Sequence, residues 1–211
     1  MKLESEIRIN TQSSIRLEKE KVIYFDPYKI GEKLSDADYI FITHNHYDHF
    51  DKNSINNIKK ETTKLIVPLS MKEEVNDLVD NSNILYVLPN RKYKLDNISF
   101  KTTYSYNINK EFHKKEDNFV GYILDLGGLK YYIAGDTDFL KENKELEVDV
   151  ALVPIGGKFT MDFKEAALFI NTIKPKKVIP THYGSLIGDK SLGKDFLLLI
   201  NDGIECELVL K

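Results

Sequence analysis

The sequence predicts an α+β chain made of two β-layers, each covered by helices. Two observations carry this expectation. Short apolar runs bounded by turn residues recur in both halves of the chain, and in each half the strands come first and the helices later, as stacked layers require. No apolar run approaches the 18 or so residues of a membrane span.

Taken in order, Glu6 to Asn10 and Ser14 to Glu18 alternate apolar and polar residues about the turn Asn10-Thr11-Gln12-Ser13, which is a hairpin signal. Lys21 to Phe25 adds a strand that stops at Asp26-Pro27, because proline has no N–H for a sheet ladder. Tyr39 to Thr43 is a short buried strand. Asp51 to Lys60 carries Ile55 and Ile58 at helical spacing on a polar background, a surface helix. Lys64 to Pro68 reads as a strand. Ser70 then caps an expected helix, with Glu73 at the capping-box position and Val75, Leu78 and Val79 facing inward. Ile84 to Leu88 is a strand, and Tyr93 to Leu95 with Ile98 to Thr102 form a hairpin about Asp96-Asn97.

The second half opens with an irregular loop, Tyr104 to Asn118, of a length that usually signals function or disorder. Phe119 to Leu126 and Leu129 to Ala134 make a hairpin about Gly127-Gly128. Val148 to Ile155 is a nearly continuous apolar strand. Asp162 to Ile173 is an amphipathic helix with Phe163, Ala166, Ala167, Phe169, Ile170 and Ile173 on its inner face. Lys177 to Pro180 is a short strand, Lys190 to Asn201 a last helix, and Ile204 to Val209 a terminal strand carrying Cys206, expected to be a buried and chemically silent thiol. There is no direct repeat, and residues 1–211 read as a single domain.

Composition narrows the function. Lys and Arg number 30 against 33 Asp and Glu, and no basic tract stands out, which argues against a nucleic-acid surface. One cysteine excludes an intrachain disulfide framework and a Cys-rich zinc module. The first residues hold no apolar stretch of signal-peptide length, so the expected location is the cytoplasm, with no membrane association. The sequence does not specify an oligomeric state.

The chemistry concentrates in Thr43-His44-Asn45-His46-Tyr47-Asp48-His49, directly after an apolar strand. Imidazoles two apart on a turn can converge on one cation, and the Asp-His pair that follows can address a second. Asp136 follows the strand Tyr131 to Ala134, with Gly135 letting the backbone turn. His182 follows Lys177 to Pro180, with Gly184 just after. A lone Asp or His at a strand end is ordinarily a loop residue. Six ligand-type side chains at apolar strand ends gather on one edge of a layered fold and suggest a shared site.

His44 to His49 (HNHYDH), Ala134 to Asp138 (AGDTD) and Pro180 to Gly184 (PTHYG) resemble, in order and spacing, the metal motifs of the metallo-β-lactamase fold superfamily. Ile23 to Tyr28 (IYFDPY), and Val153 to Gly157 (VPIGG) followed by Thr160-Met161-Asp162, resemble its small UlaG-like hydrolases, so that the likeness spans about residues 5 to 185. It implies a four-layer αββα sandwich of two mixed β-sheets. It also implies a dinuclear site in which His44 and His46 bind one metal, Asp48, His49 and His182 the other, and Asp136 bridges them. Such relatives usually add a third histidine to the first metal. Here Asn107 stands near that position and His113 follows six residues later, so either is a candidate metal or substrate contact.

The function implied is a metal-dependent hydrolase acting on a small cytoplasmic ester, lactone or phosphodiester. Its two divalent transition metals would be Zn first, with Mn or Fe compatible with the same ligands, and would supply a metal-bound hydroxide at neutral pH. Asp48 is the catalytic candidate, orienting the nucleophile or taking its proton. Asp136 stands where many zinc β-lactamases carry cysteine, which argues against β-lactam hydrolysis. The alternative is a metal-binding protein of the same fold without turnover, a regulatory or interaction module.

Overall fold

In the computed structural model, which describes residues 6–210, period-two alternation along the strands sorts side chains into three apolar layers. Six described strands form the first sheet in the order β1 (Glu6–Ile9), β2 (Ile15–Glu18), β3 (Val22–Phe25), β4 (Ala37–Phe41), β5 (Lys59–Pro68) and β6 (Ile84–Val87). Seven form the second: β7 (Lys92–Leu95), β8 (Ile98–Tyr104), β9 (Val120–Leu126), β10 (Leu129–Ile133), β11 (Val150–Pro154), β12 (Lys177–Thr181) and β13 (Glu205–Cys206). Each sheet starts antiparallel and becomes parallel, at β3–β4 in the first and at β10–β11 in the second.

Ile23, Phe25, Tyr39, Phe41 and Ile66 of the first sheet face Tyr131, Ile133, Val150, Leu152 and Ile179 of the second. Their sequence neighbours Tyr24, Ile40 and Leu65 turn outward to meet Ile55 and Ile58 of α1 (Lys52–Ile58). On the other side Tyr132, Ala151, Val153 and Val178 pack with Ala166, Phe169 and Ile170 of α2 (Phe163–Ile173) and Phe196 of α3 (Leu192–Leu197). These layers are the αββα sandwich expected from the sequence. Phe41 lies at the centre, with ring centroids 5.1 Å from Phe25, 5.2 Å from Phe100 and 5.1 Å from Tyr122. The buried Tyr122 hydroxyl donates to the Ile42 carbonyl at 2.7 Å, and the Val120 N–H reaches the Thr43 carbonyl at 3.2 Å. The two sheets are thus pinned together at the point where β4 releases the histidine string.

The helices differ from expectation in two places. The helix expected after Ser70 is replaced by a single 3₁₀ turn, Leu69–Met71, followed by turns. Val75 and Leu78 are still buried against the first sheet, since successive turns satisfy the same spacing. The Asn76 side chain bonds back to the Glu73 carbonyl at 3.3 Å and Asp77 is left-handed at φ 69°, local chemistry that competes with a helical ladder. The last helix shrinks to α3. Beyond it, Asn171 of α2 donates to the Leu199 carbonyl at 2.8 Å and accepts the Asn201 N–H at 2.9 Å, drawing off backbone groups the helix would have used. The terminal strand shortens to two residues beside Lys177 and Val178. Cys206 there is half-buried, and burial pushes its thiol up to about 11.

Candidate metal centre

The parallel strands carry their carboxyl ends to one edge, the usual place for a site in sheets of this kind. After β4 the chain turns through His44 to His49, where the His49 and Phe50 N–H groups bond to the His46 carbonyl at 2.9 and 2.8 Å. After β10, Gly135 adopts φ 67° beneath Thr43 and Ser105, where a Cβ would lie 3.0 Å from both, and so delivers Asp136. After β12, His182 takes a left-handed conformation, φ 57°, with its N–H on the Gln12 carbonyl at 3.1 Å. His113 arrives from the loop after β8, also left-handed at φ 61°. Two non-glycine residues held in this sparsely populated region mark a backbone constrained by its surroundings.

The side chains converge. His44, His46 and His113 form one cluster of candidate ligand atoms; Asp48, His49 and His182 form a second; His44, His49 and Asp136 form a third between them. His113 Nε2 lies 3.2 Å from His44 Nε2 and 3.6 Å from Asp136 Oδ2. His182 Nε2 is 3.3 Å from both Asp48 Oδ2 and Asp136 Oδ2, and His49 Nε2 is 3.3 Å from Asp136 Oδ1. Ligand atoms about 2.0–2.2 Å from one tetrahedral cation stand roughly 3.3–3.6 Å from each other, so these spacings suit bound metal. The polar accounting agrees: His49 Nε2, His182 Nε2 and Asp136 Oδ1 are buried without an aligned hydrogen-bond partner among the described residues. Such atoms are costly unless something else satisfies them.

Asp26 organises the centre from beneath. It ends β3 with a left-handed backbone, φ 46°, and is fully buried. Its Oδ1 accepts the Thr43 N–H at 2.7 Å, while Oδ2 lies 2.7 Å from Thr43 Oγ1 and 2.8 Å from His49 Nδ1. With the carboxylate ionised, both of these must donate. The Thr43 hydroxyl proton is then committed to Asp26, so the contact of Thr43 Oγ1 with His44 Nδ1 at 2.9 Å requires the imidazole to donate. One carboxylate thereby fixes Nδ1 as the donor in two histidines, so that each ring, when neutral, turns its Nε2 lone pair to the cluster.

Burial and charge set the protonation. Burial holds His44 well below the ordinary histidine value, reinforced by His49, and lowers His46; it pushes His113 down to about 4. These three are neutral, the form that ligates. Burial disfavours the His49 imidazolium, but the Asp136 and Asp26 carboxylates override it and raise His49 well above the ordinary value. Burial alone would raise Asp136, yet His182, His49 and His44 hold it well below the usual carboxylate range. Asp48 is likewise lowered, its burial outweighed by His182 and His49. Asp26 is raised by burial, with His49 and Thr43 opposing.

A cavity of about 280 Å³ opens onto the cluster, lined by His46, Asp48, His113, Asp136 and His182 among others. The structure thus brings together His44, His46, Asp48, His49, His113, Asp136 and His182, the histidines and aspartates expected as ligands. Asn107 stands behind it: its Nδ2 donates to the Phe112 and Phe159 carbonyls at 3.1 and 2.6 Å and lies 3.3 Å from His113 Nδ1. Asp26, Thr43 and Gln12 were missed as site residues. Asp26 had two signals, its place at the end of an apolar run before proline and its membership of the IYFDPY segment. The Gln12 side chain, also fully buried, has no partner among the described residues.

The family model for the β-lactamase superfamily domain matches residues 6–182. A metal-dependent hydrolase of the UPF0173 group from Thermococcus onnurineus is 30% identical over 88% of this chain and 87% of its own length. A UPF0173 metal-dependent hydrolase from Staphylococcus carnosus is 31% identical over 91% of each chain. Among solved structures, the metallo hydrolase Igni18 from Ignicoccus hospitalis superposes with a TM-score of 0.76 at 21% identity, covering 97% of this chain and 94% of that one. The metallo-β-lactamase fold protein YhfI from Bacillus subtilis superposes with a TM-score of 0.72 at 9% identity, covering 97% of this chain and 92% of its own, a likeness of fold alone. The chain belongs to the β-lactamase superfamily and, within it, to the UPF0173 metal-dependent hydrolases.

Proposed function

We propose that this chain is a dinuclear metal-dependent hydrolase of a small-molecule ester, lactone or phosphodiester. His44, His46 and His113 would hold one divalent cation, and Asp48, His49 and His182 the other. Asp136 would bridge them, with zinc the first choice for this nitrogen and oxygen donor set. A cytoplasmic setting and a single domain belong to the same reading. The observation that carries it is the buried Asp136 carboxylate lying within 3.3–3.6 Å of His49, His113 and His182 nitrogens from three different loops.

When bound, the cations supply Lewis acidity and bring water acidity down to about pKa 7. The chain's own residues do the rest. Asp26 and Thr43 hold two imidazoles in the ligating tautomer. Asp48, ionised and lining the cavity, is the acceptor on hand for the proton of the attacking water.

The test is hydrolysis of a panel of p-nitrophenyl esters, a lactone and bis(p-nitrophenyl) phosphate by zinc-loaded, chelated and Asp136→Asn protein. The expected result is turnover by the loaded protein alone, lost on chelation and in the variant. Metal bound by wild type with no turnover across the panel would overturn the hydrolytic reading and favour the non-catalytic module.

A further inference from the structure

The walls of the cavity speak to the substrate. Apart from the candidate ligands, the cavity is lined by Tyr47, Phe112, Phe159, Leu186 and Ile187, and no lysine or arginine is among its lining. Tyr47 is 66% exposed, Phe112 43% and Leu186 38%, so large apolar side chains stand open to solvent around the entrance. Such clustering marks a binding surface. The arrangement is built, since Asn107 straps the Phe112 and Phe159 backbones together and their rings meet edge to face at 5.5 Å. The lysines of the same loop, Lys110, Lys114 and Lys115, line a separate cleft with Asn107 and Glu142. Lys110 is bonded there to Asp138 and to the Thr160 carbonyl. Lys158, next in sequence to the wall, lies over the Phe159 ring at 4.9 Å.

A phosphodiester brings an anion whose non-bridging oxygens call for cationic side chains or N–H donors beyond the metals. An acyl compound brings a neutral carbonyl and a hydrocarbon group. Resting on the hydrolase reading above, we propose that the substrate is a small uncharged carboxylic ester or lactone whose apolar group lodges against Phe112, Phe159 and Leu186. In the reaction the water oxygen bonds to the carbonyl carbon, the bond from that carbon to the alkoxy oxygen breaks, one proton of the water passes to the departing oxygen and the other is released to solvent. The products are an alcohol and a carboxylate, joined in one molecule for a lactone. No side-chain cation on the wall retains that anion.

The experiment compares kcat/KM of zinc-loaded protein for p-nitrophenyl acetate, butanoate and hexanoate with bis(p-nitrophenyl) phosphate. It also measures binding of heptan-2-one and diethyl phosphate by NMR line broadening, with and without zinc. Expected are a rise of about three- to fourfold per added methylene until the cavity fills, from the transfer energy of one buried CH₂, and binding of the ketone over the phosphate. Phe159→Ala should flatten the chain-length dependence, and Leu186→Lys, at an exposed position, should shift preference toward the phosphodiester. Preference of wild type for the phosphodiester, or a chain-length dependence unmoved by both variants, would overturn the apolar-acyl assignment and leave the hydrolase reading standing. Absence of all turnover would overturn the hydrolase reading, and the ketone-against-phosphate binding would still decide the character of the wall.

Discussion

Replacing Asp26 with Asn tests how the centre is held together without touching a candidate ligand. Asparagine is nearly isosteric and tolerates the left-handed backbone at φ 46°, so the fold is expected to survive. The amide can still accept the Thr43 N–H through its oxygen, but its NH₂ now faces Thr43 Oγ1 and His49 Nδ1, previously 2.7 and 2.8 Å from an acceptor. His49 Nδ1 must then accept, which moves its proton to Nε2. The Thr43 hydroxyl, receiving a proton from the amide, turns its own toward His44 Nδ1 and moves that imidazole's proton to Nε2 as well. Both ligating lone pairs are lost at once. Removing such an outer partner typically costs 10–100-fold in metal affinity, or roughly 1.4–2.8 kcal/mol at 1.4 kcal/mol per tenfold. In the proposed centre His44 and His49 serve different cations, so both cations should weaken by that factor. Thr43→Val, which breaks the relay to His44 and leaves the Asp26–His49 bond, should weaken one binding step. Competition against a chromophoric chelator resolves the two steps. Folded Asp26→Asn protein binding both cations at wild-type affinity would refute the tautomer reasoning.

Chelating the metals should lower the melting temperature, because a cation held at a thousand times its dissociation constant contributes about 4 kcal/mol to the folded state; an unchanged scanning-calorimetry profile would count against a native-state site. His113→Ala should weaken the cation proposed for His44, His46 and His113 by one to two orders of magnitude, whereas Asn107→Ala should keep full metal stoichiometry while loosening the Phe112 and Phe159 loops, as read by elemental analysis and limited proteolysis. Gly121→Ala places a methyl 2.6 Å from Thr103 Oγ1 and 2.8 Å from the Ala134 carbonyl, so urea denaturation should show a loss of about 1–3 kcal/mol.

Much of this architecture was legible in the sequence because strands announce themselves by period two. Ile23, Tyr24 and Phe25 alternate between layers whatever the rest of the chain does. The HNHYDH string was legible because its ligands are adjacent, and Asp136 and His182 because each follows an apolar run. Two kinds of information were not. The helix expected after Ser70 rested on a spacing that consecutive turns also satisfy, and Asn76-Asp77 tipped the balance locally. The role of Asp26 depends on the parallel register of β3 against β4, which sets Phe25 opposite Phe41 and so brings Asp26 beneath Thr43, a long-range pairing with no local signature. Gln12 is similar: the sequence shows a turn, and only the fold shows which histidine lies over it. His113 was ambiguous for a related reason, since an irregular loop has no period from which to read where a side chain points.

The most direct test of the account is the metal content of purified, zinc-reconstituted protein, measured by elemental analysis alongside Asp136→Ala. Two equivalents per chain in wild type, falling in the variant, are the expected result. One equivalent or none in the wild-type protein would contradict a centre built around a bridging Asp136.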